Sequence, residues 1–134
     1  QPPEPAPPTV PTGVGYLRTE FGDHIKAKRK TGELHRGDAQ LLTLGDEGEG
    51  RVSIRLAGSG KYVCADPGLV DDPLYANRDS VGPWERFSVE RRDDGQWRFK
   101  AESTGLYVCA EDTGKVVCNR ATAGGWESFV FEPD

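Results

Sequence analysis

The chain has 134 residues, enough for one domain and not two. A net charge of −5 and a pI of about 5.1 argue against nucleic acid as the main partner. There is no apolar run of about 18 residues, so no membrane-spanning helix is expected. Hydrophobic residues make up 35% and 17 glycines supply turns, which suits a small all-β domain with many loops.

The chain opens with Gln1-Pro2-Pro3-Glu4-Pro5-Ala6-Pro7-Pro8-Thr9-Val10-Pro11-Thr12. Its prolines remove backbone donors and favour an extended polyproline II spacer over residues 1–12. A ligand for a proline-recognition domain is the sharper alternative. A spacer needs something to space, so an N-terminal partner domain is expected. The sequence contains no methionine, and Gln1 is expected to be an internal position of a longer precursor.

The region 13–134 is organised by a stretch that occurs twice. One copy runs Lys61-Tyr62-Val63-Cys64-Ala65-Asp66, then Leu74-Tyr75-Ala76-Asn77-Arg78, then Pro83-Trp84-Glu85-Arg86-Phe87. The other runs Leu106-Tyr107-Val108-Cys109-Ala110-Glu111, then Val116-Val117-Cys118-Asn119-Arg120, then Gly125-Trp126-Glu127-Ser128-Phe129. The tyrosines lie about 45 residues apart and the tryptophans about 42, a period that points to a repeat architecture. A degenerate third copy lies upstream. Asp23-His24-Ile25-Lys26-Ala27 stands for the first segment, Glu33 to Asp38 for the second, and Leu42-Thr43-Leu44 for the strand at Phe87. It has lost its tyrosine, its asparagine and its Trp-Glu pair.

Each copy reads as strands. Val52, Ile54 and Leu56 alternate, as do Trp97, Phe99 and Ala101 at the equivalent positions, so both sets should face a core. Val63 and Val108 should close the hairpin end, with Phe87 and Phe129 on the main strands. Asp112-Thr113-Gly114 before a second β-prone run signals a hairpin. Three four-stranded units fit an all-β, pseudo-three-fold β-trefoil: six strands in a short barrel, three hairpins capping one end. The repeats are expected at about 14–50, 51–95 and 96–134.

The run Asp93 to Glu102, the Gly-x-Tyr-Val hairpins and the Asn-Arg…Trp-Glu-x-Phe segments resemble the fascin-like β-trefoil domain. Fascin strings several such trefoils together and bundles actin. A single trefoil behind a proline-rich spacer resembles, more closely, the modules appended to secreted bacterial carbohydrate-active enzymes. That resemblance implies a monomeric, extracellular, non-catalytic carbohydrate-binding module. Its partners would be a polysaccharide or oligosaccharide and, through the spacer, an N-terminal glycoside hydrolase domain. A protein-interaction domain of the actin-bundling type and a purely structural trefoil are the alternatives.

Trefoil lectins hold one sugar per repeat, using a carboxylate, an amide or Arg donor and an aromatic platform. The second repeat offers Asp66, Tyr75, Asn77, Arg78 and Trp84. The third offers Glu111, Asn119, Arg120 and Trp126. Trp84 and Trp126 serve either as sugar platforms or as lids over the hairpin base. The alternative for Asn-Arg is a turn-forming Asn and a surface ion pair from Arg to Glu85 or Glu127. The first repeat offers His35 and Arg36 without an aromatic and is expected to be the weakest site. Its Lys26, Lys28, Arg29 and Lys30 form either a solvated hairpin tip or a grip for an anionic glycan or surface.

If Thr113-Gly114 is a two-residue loop, Cys109 and Cys118 face each other across the hairpin. A Cys109–Cys118 disulfide is then expected, with Cys64 free; pairing of Cys64 with Cys109 is the alternative. No Cys/His spacing suits a metal, and no cofactor is implied. Asp71-Asp72 and Asp93-Asp94 read as turn chemistry, and no nucleophile, P-loop or paired catalytic carboxylates stand out, so no catalysis is expected of this domain.

Overall fold

The computed structural model describes residues 10–68, 73–92 and 94–134. The proposed spacer up to residue 9, the Asp71-Asp72 pair and Asp93 lie outside the described residues. Among the described residues twelve strands follow one another: β1 (Gly13–Arg18), β2 (His24–Ala27), β3 (Leu34–Gly37), β4 (Leu42–Gly48), β5 (Arg51–Leu56), β6 (Tyr62–Cys64), β7 (Tyr75–Arg78), β8 (Phe87–Arg91), β9 (Trp97–Ala101), β10 (Tyr107–Ala110), β11 (Val116–Arg120) and β12 (Val130–Pro133). A 3-10 turn covers Pro83–Glu85.

Six of these close a barrel. The order β12-β1-β4-β5-β8-β9 is antiparallel throughout, and a bridge between Trp97 and Phe129 joins the two ends. The alternating positions fill it. Leu17, Leu42, Leu44, Val52, Phe87, Phe99 and Phe129 are at most 1% exposed, and Phe99 packs on Phe129 with ring centroids 6.0 Å apart. Burial of each such side chain contributes roughly 1.5–3 kcal/mol.

The other six strands form three hairpins, β2-β3, β6-β7 and β10-β11. They join in a ring over one barrel end. Glu33 bridges to Tyr75, Pro73 to Val117, and His35 to Lys115, so each hairpin touches both others. Val63 and Val108 are buried beneath them. The turn at Gly32 has a positive φ of 79°, and a Cβ there would meet the Ala76 carbonyl oxygen at 2.5 Å. Only glycine allows the first hairpin to approach the second that closely. The arrangement is a β-trefoil, as the repeat pattern predicts.

The hairpin registers correct one expectation. In β10-β11, Ala110 pairs with Val116, Cys109 with Val117 and Val108 with Cys118. The turn spans Glu111 to Lys115 rather than two residues, held by Glu111 N–H to the Lys115 carbonyl (2.8 Å) and Gly114 N–H to the Glu111 carbonyl (3.0 Å). That one-residue change of register puts Cys109 and Cys118 on opposite faces of the hairpin. No disulfide joins any of the three cysteines; all are buried thiols, and the Cys118 thiol donates to the Leu106 carbonyl at 3.1 Å.

Candidate functional site

The Asn-Arg dipeptide owes its position to a bulge. Tyr62 pairs with Arg78 while Val63 pairs with Ala76, so Asn77 is an extra residue in β7; Asn119 is the extra residue in β11 between Arg120 and Cys118. A bulge bends its strand and re-aims the next side chain. The first hairpin has none: His24 to Ala27 pair in unbroken register with Gly37 to Leu34.

In the second repeat the structure brings four of the five expected residues to one cleft. Asp66, Tyr75, Asn77 and Arg78 line a space of about 260 Å³ with Thr31 and Cys64. Arg78 reaches Asp66 at 3.5 Å and lies over the Trp84 indole, 5.7 Å from its centroid. Arg78 Nε is buried without a hydrogen-bond partner among the described residues. Trp84 is 40% exposed, so its ring is outside the core while its carbonyl accepts the Ala65 N–H at 2.8 Å.

The third repeat reproduces the ionic part more tightly. Arg120 Nη2 donates to Glu111 Oε2 at 2.9 Å. Burial alone would lower the Arg120 pKa, but Cys109 and Glu111 outweigh it and raise it. Asn119 Oδ1 is buried without a partner among the described residues. The Trp126 carbonyl accepts the Ala110 N–H at 3.0 Å. Its ring, 36% exposed, meets Phe21 with centroids 5.7 Å apart. Arg36 stacks over that same Phe21 at 3.7 Å and donates to the Glu111 carbonyl at 2.9 Å. Arg36 thus ties the first repeat, where it stands, to the third. It also binds Asp23, whose carboxyl burial would raise; hydrogen bonds from Thr19 and Arg36 prevail and lower it. His35 sits on β3 with Nδ1 3.0 Å from the Arg36 carbonyl oxygen.

The alternative partners, Glu85 and Glu127, do not hold the arginines. Both are buried and fold back on their own loops: Glu85 Oε1 accepts the Gly82 N–H at 2.8 Å, and Glu127 Oε1 the Gly124 N–H at 2.6 Å. Each also meets a cysteine. Burial, with Glu85 and Glu127 adding to it, pushes the Cys64 and Cys109 thiols up to about 12. They are poor nucleophiles and part of the support beneath the partly exposed Arg-carboxylate pairs.

The first repeat differs most. Its connection from β3 to β4 is only residues 38–41, against 79–86 and 121–129 in the others. The Ala27 N–H, which would donate to a tryptophan carbonyl, donates instead to Gln40 Oε1 at 2.7 Å. Beside it opens a cleft of about 630 Å³ lined by Lys26, Lys28, Arg29, Lys30 and Lys61. Gln40, Thr31, Ser59 and Asn77 add hydrogen-bonding groups. The cationic run was visible in the sequence; Gln40, Ser59 and Lys61 were missed, and the short loop is the signal that could have found them. No group of three or more His, Cys, Asp or Glu among the described residues could hold a metal ion.

No protein-family model matches the sequence, and no curated protein matches it. In fold the chain is similar to a designed three-fold symmetric protein, ThreeFoil, with a TM-score of 0.79 and 16% identity over 90% of this chain and 98% of that one. It is also similar to the Polyporus squamosus lectin, solved with the epitope Neu5Aca2-6Galb1-4GlcNAc, with a TM-score of 0.77 and 18% identity over 92% of this chain. The match spans 49% of the lectin chain. At these identities the likeness shows the β-trefoil fold.

Proposed function

We propose that the chain is a non-catalytic carbohydrate-binding module of the kind appended to secreted glycoside hydrolases. One observation carries the reading: the cleft in which the Asp66–Arg78 pair, Tyr75 and Asn77 lie beside an exposed Trp84, repeated in outline by Glu111, Arg120, Asn119 and Trp126. A sugar offers hydroxyls to the carboxylates and carbonyl oxygens, accepts from Arg and Asn, and lays its C–H face on an indole. The oligosaccharide-bound lectin of the same fold is consistent with this. Weak contacts at two repeats add by avidity on a polymer. The proline-rich start fits a tether to an extracellular hydrolase, which the module would hold on its substrate.

The test is affinity electrophoresis of the chain against soluble and insoluble polysaccharides, with Trp84→Ala and Trp126→Ala alongside. Retention by a glycan that falls roughly tenfold in either variant, about 1.4 kcal/mol, is the expected result. No retention by any glycan, or cosedimentation with F-actin instead, overturns it.

A further inference from the structure

We infer that the basic cleft of the first repeat is a subsite for the oxyanion groups of an acidic polysaccharide, continuous with the cleft of the second repeat. The inference takes its polymer class from the carbohydrate reading and its charge preference from the cleft alone. Lys26, Lys28, Arg29, Lys30 and Lys61 line it, and no acidic residue does among the described residues. Lys28 is paired with Glu33 at 2.8 Å and Lys61 with Asp79. Lys26, Arg29 and Lys30 have no carboxylate partner among the described residues, and Arg29 and Lys30 are exposed. Three uncompensated cations at one concavity, in a chain of net charge −5, concentrate positive potential at one place.

The other lining groups narrow the ligand. Gln40, Thr31, Ser59 and Asn77 offer amide and hydroxyl groups, which match the hydroxyls of a sugar. No aromatic side chain lines the cleft among the described residues, so the stacking platform that single-stranded nucleic acid uses is missing. Thr31 and Asn77 line this cleft and also the one holding Asp66, Tyr75 and Arg78. A polymer bound at the second repeat therefore passes into the basic cleft without leaving the surface. The difference is local: the 38–41 connection is short and carries no counterpart of Trp84-Glu85 or Trp126-Glu127.

The experiment compares retention of the chain by polygalacturonate, by dextran sulfate and by a neutral glucan, at about 20 and 300 mM salt. The Debye length falls from about 20 Å to under 8 Å over this range. Expected is retention by one or both acidic polymers at least tenfold above the neutral glucan, weakened by salt. Preference between the two polymers tells carboxylate from sulfate. The double variant Arg29→Gln/Lys30→Gln, and separately Lys26→Gln, should lose most of the acidic retention with an unchanged circular dichroism spectrum. Trp84→Ala should weaken acidic and neutral retention alike. Acidic retention unmoved by the Lys and Arg variants overturns the inference. So does equal retention by double-stranded DNA, or neutral binding with no preference for acid; in that last case the carbohydrate reading stands without it. No retention by any polymer removes both.

Discussion

In the second and third repeats the hairpin base is held by backbone: Ala65 and Ala110 donate to the carbonyls of Trp84 and Trp126. In the first repeat Ala27 donates to the side chain of Gln40. The buried donor is satisfied either way, as it must be. The consequences for the surface are opposite. A loop long enough to bring a tryptophan carbonyl also displays an indole and needs a buried glutamate to hold its turn. A single side-chain amide satisfies the donor with four connecting residues and leaves an open cleft. The pseudo-three-fold scaffold is therefore constant at the level of hydrogen bonds and divergent in what it shows to solvent, aromatic and ionic on one side, cationic on the other.

Breaking those devices in parallel gives the largest expected stability effects. Glu127→Ala leaves the Gly124 N–H and the Cys109 thiol without their buried partner, and should cost about 1–3 kcal/mol in urea unfolding. Gln40→Ala should sit near 1 kcal/mol, because the cleft beside it admits water to the orphaned Ala27 N–H. Equal costs would mean that the first hairpin base is as dry as the others and that the open cleft is filled in solution.

The repeats also differ beneath the hairpins, where Cys64 and Cys109 stand at the position Lys26 holds in the first. Both thiols ionise near 9.0 when unfolded and at about 12 when folded, chiefly through burial. A raised folded pKa means stability that is full below pH 9 and is lost as pH rises toward 12. Unfolding followed from pH 8 to 11.5 should show that fall. Cys64→Ala/Cys109→Ala, whatever its absolute stability, should show a flatter slope. An unchanged slope would place the alkaline sensitivity elsewhere.

The fold was legible because a trefoil repeats its core. Val52, Ile54 and Leu56 against Trp97, Phe99 and Ala101 are a periodic signal, and all six are buried. Hairpin register was not legible. Asp112-Thr113-Gly114 suits a tight turn, yet the turn runs from Glu111 to Lys115, and one residue of slip turned an expected disulfide into two thiols on opposite faces. Asn77 and Asn119 read from sequence as polar groups, but that they are bulge residues is a property of pairing, which only the partner strand reveals. Gln40 carries no periodicity at all, since it replaces a backbone atom. Glu85 and Glu127 looked like surface partners for Arg because a carboxylate folding back onto an N–H three residues earlier leaves a weak trace in sequence.

The smallest effect separates the two ionic pairs. Arg120 meets Glu111 at 2.9 Å, and Glu111 is itself fixed through its carbonyl by Arg36. Arg78 meets Asp66 at only 3.5 Å, and both of its side-chain neighbours, Asp66 and the Trp84 ring, are partly open to solvent. Partly exposed pairs contribute roughly 0.2–1 kcal/mol. Arg120→Gln should fall in the upper half of that range and Arg78→Gln in the lower, with both shrinking in about 1 M salt, where the Debye length is about 3 Å. For glycan retention the order should reverse. An arginine weakly committed to its carboxylate can turn to a ligand hydroxyl at little cost, whereas Arg120 would have to give up a good bond first. If Arg78→Gln instead destabilises the fold more than Arg120→Gln and leaves retention intact, Arg78 is structural and the second-repeat cleft loses its principal donor.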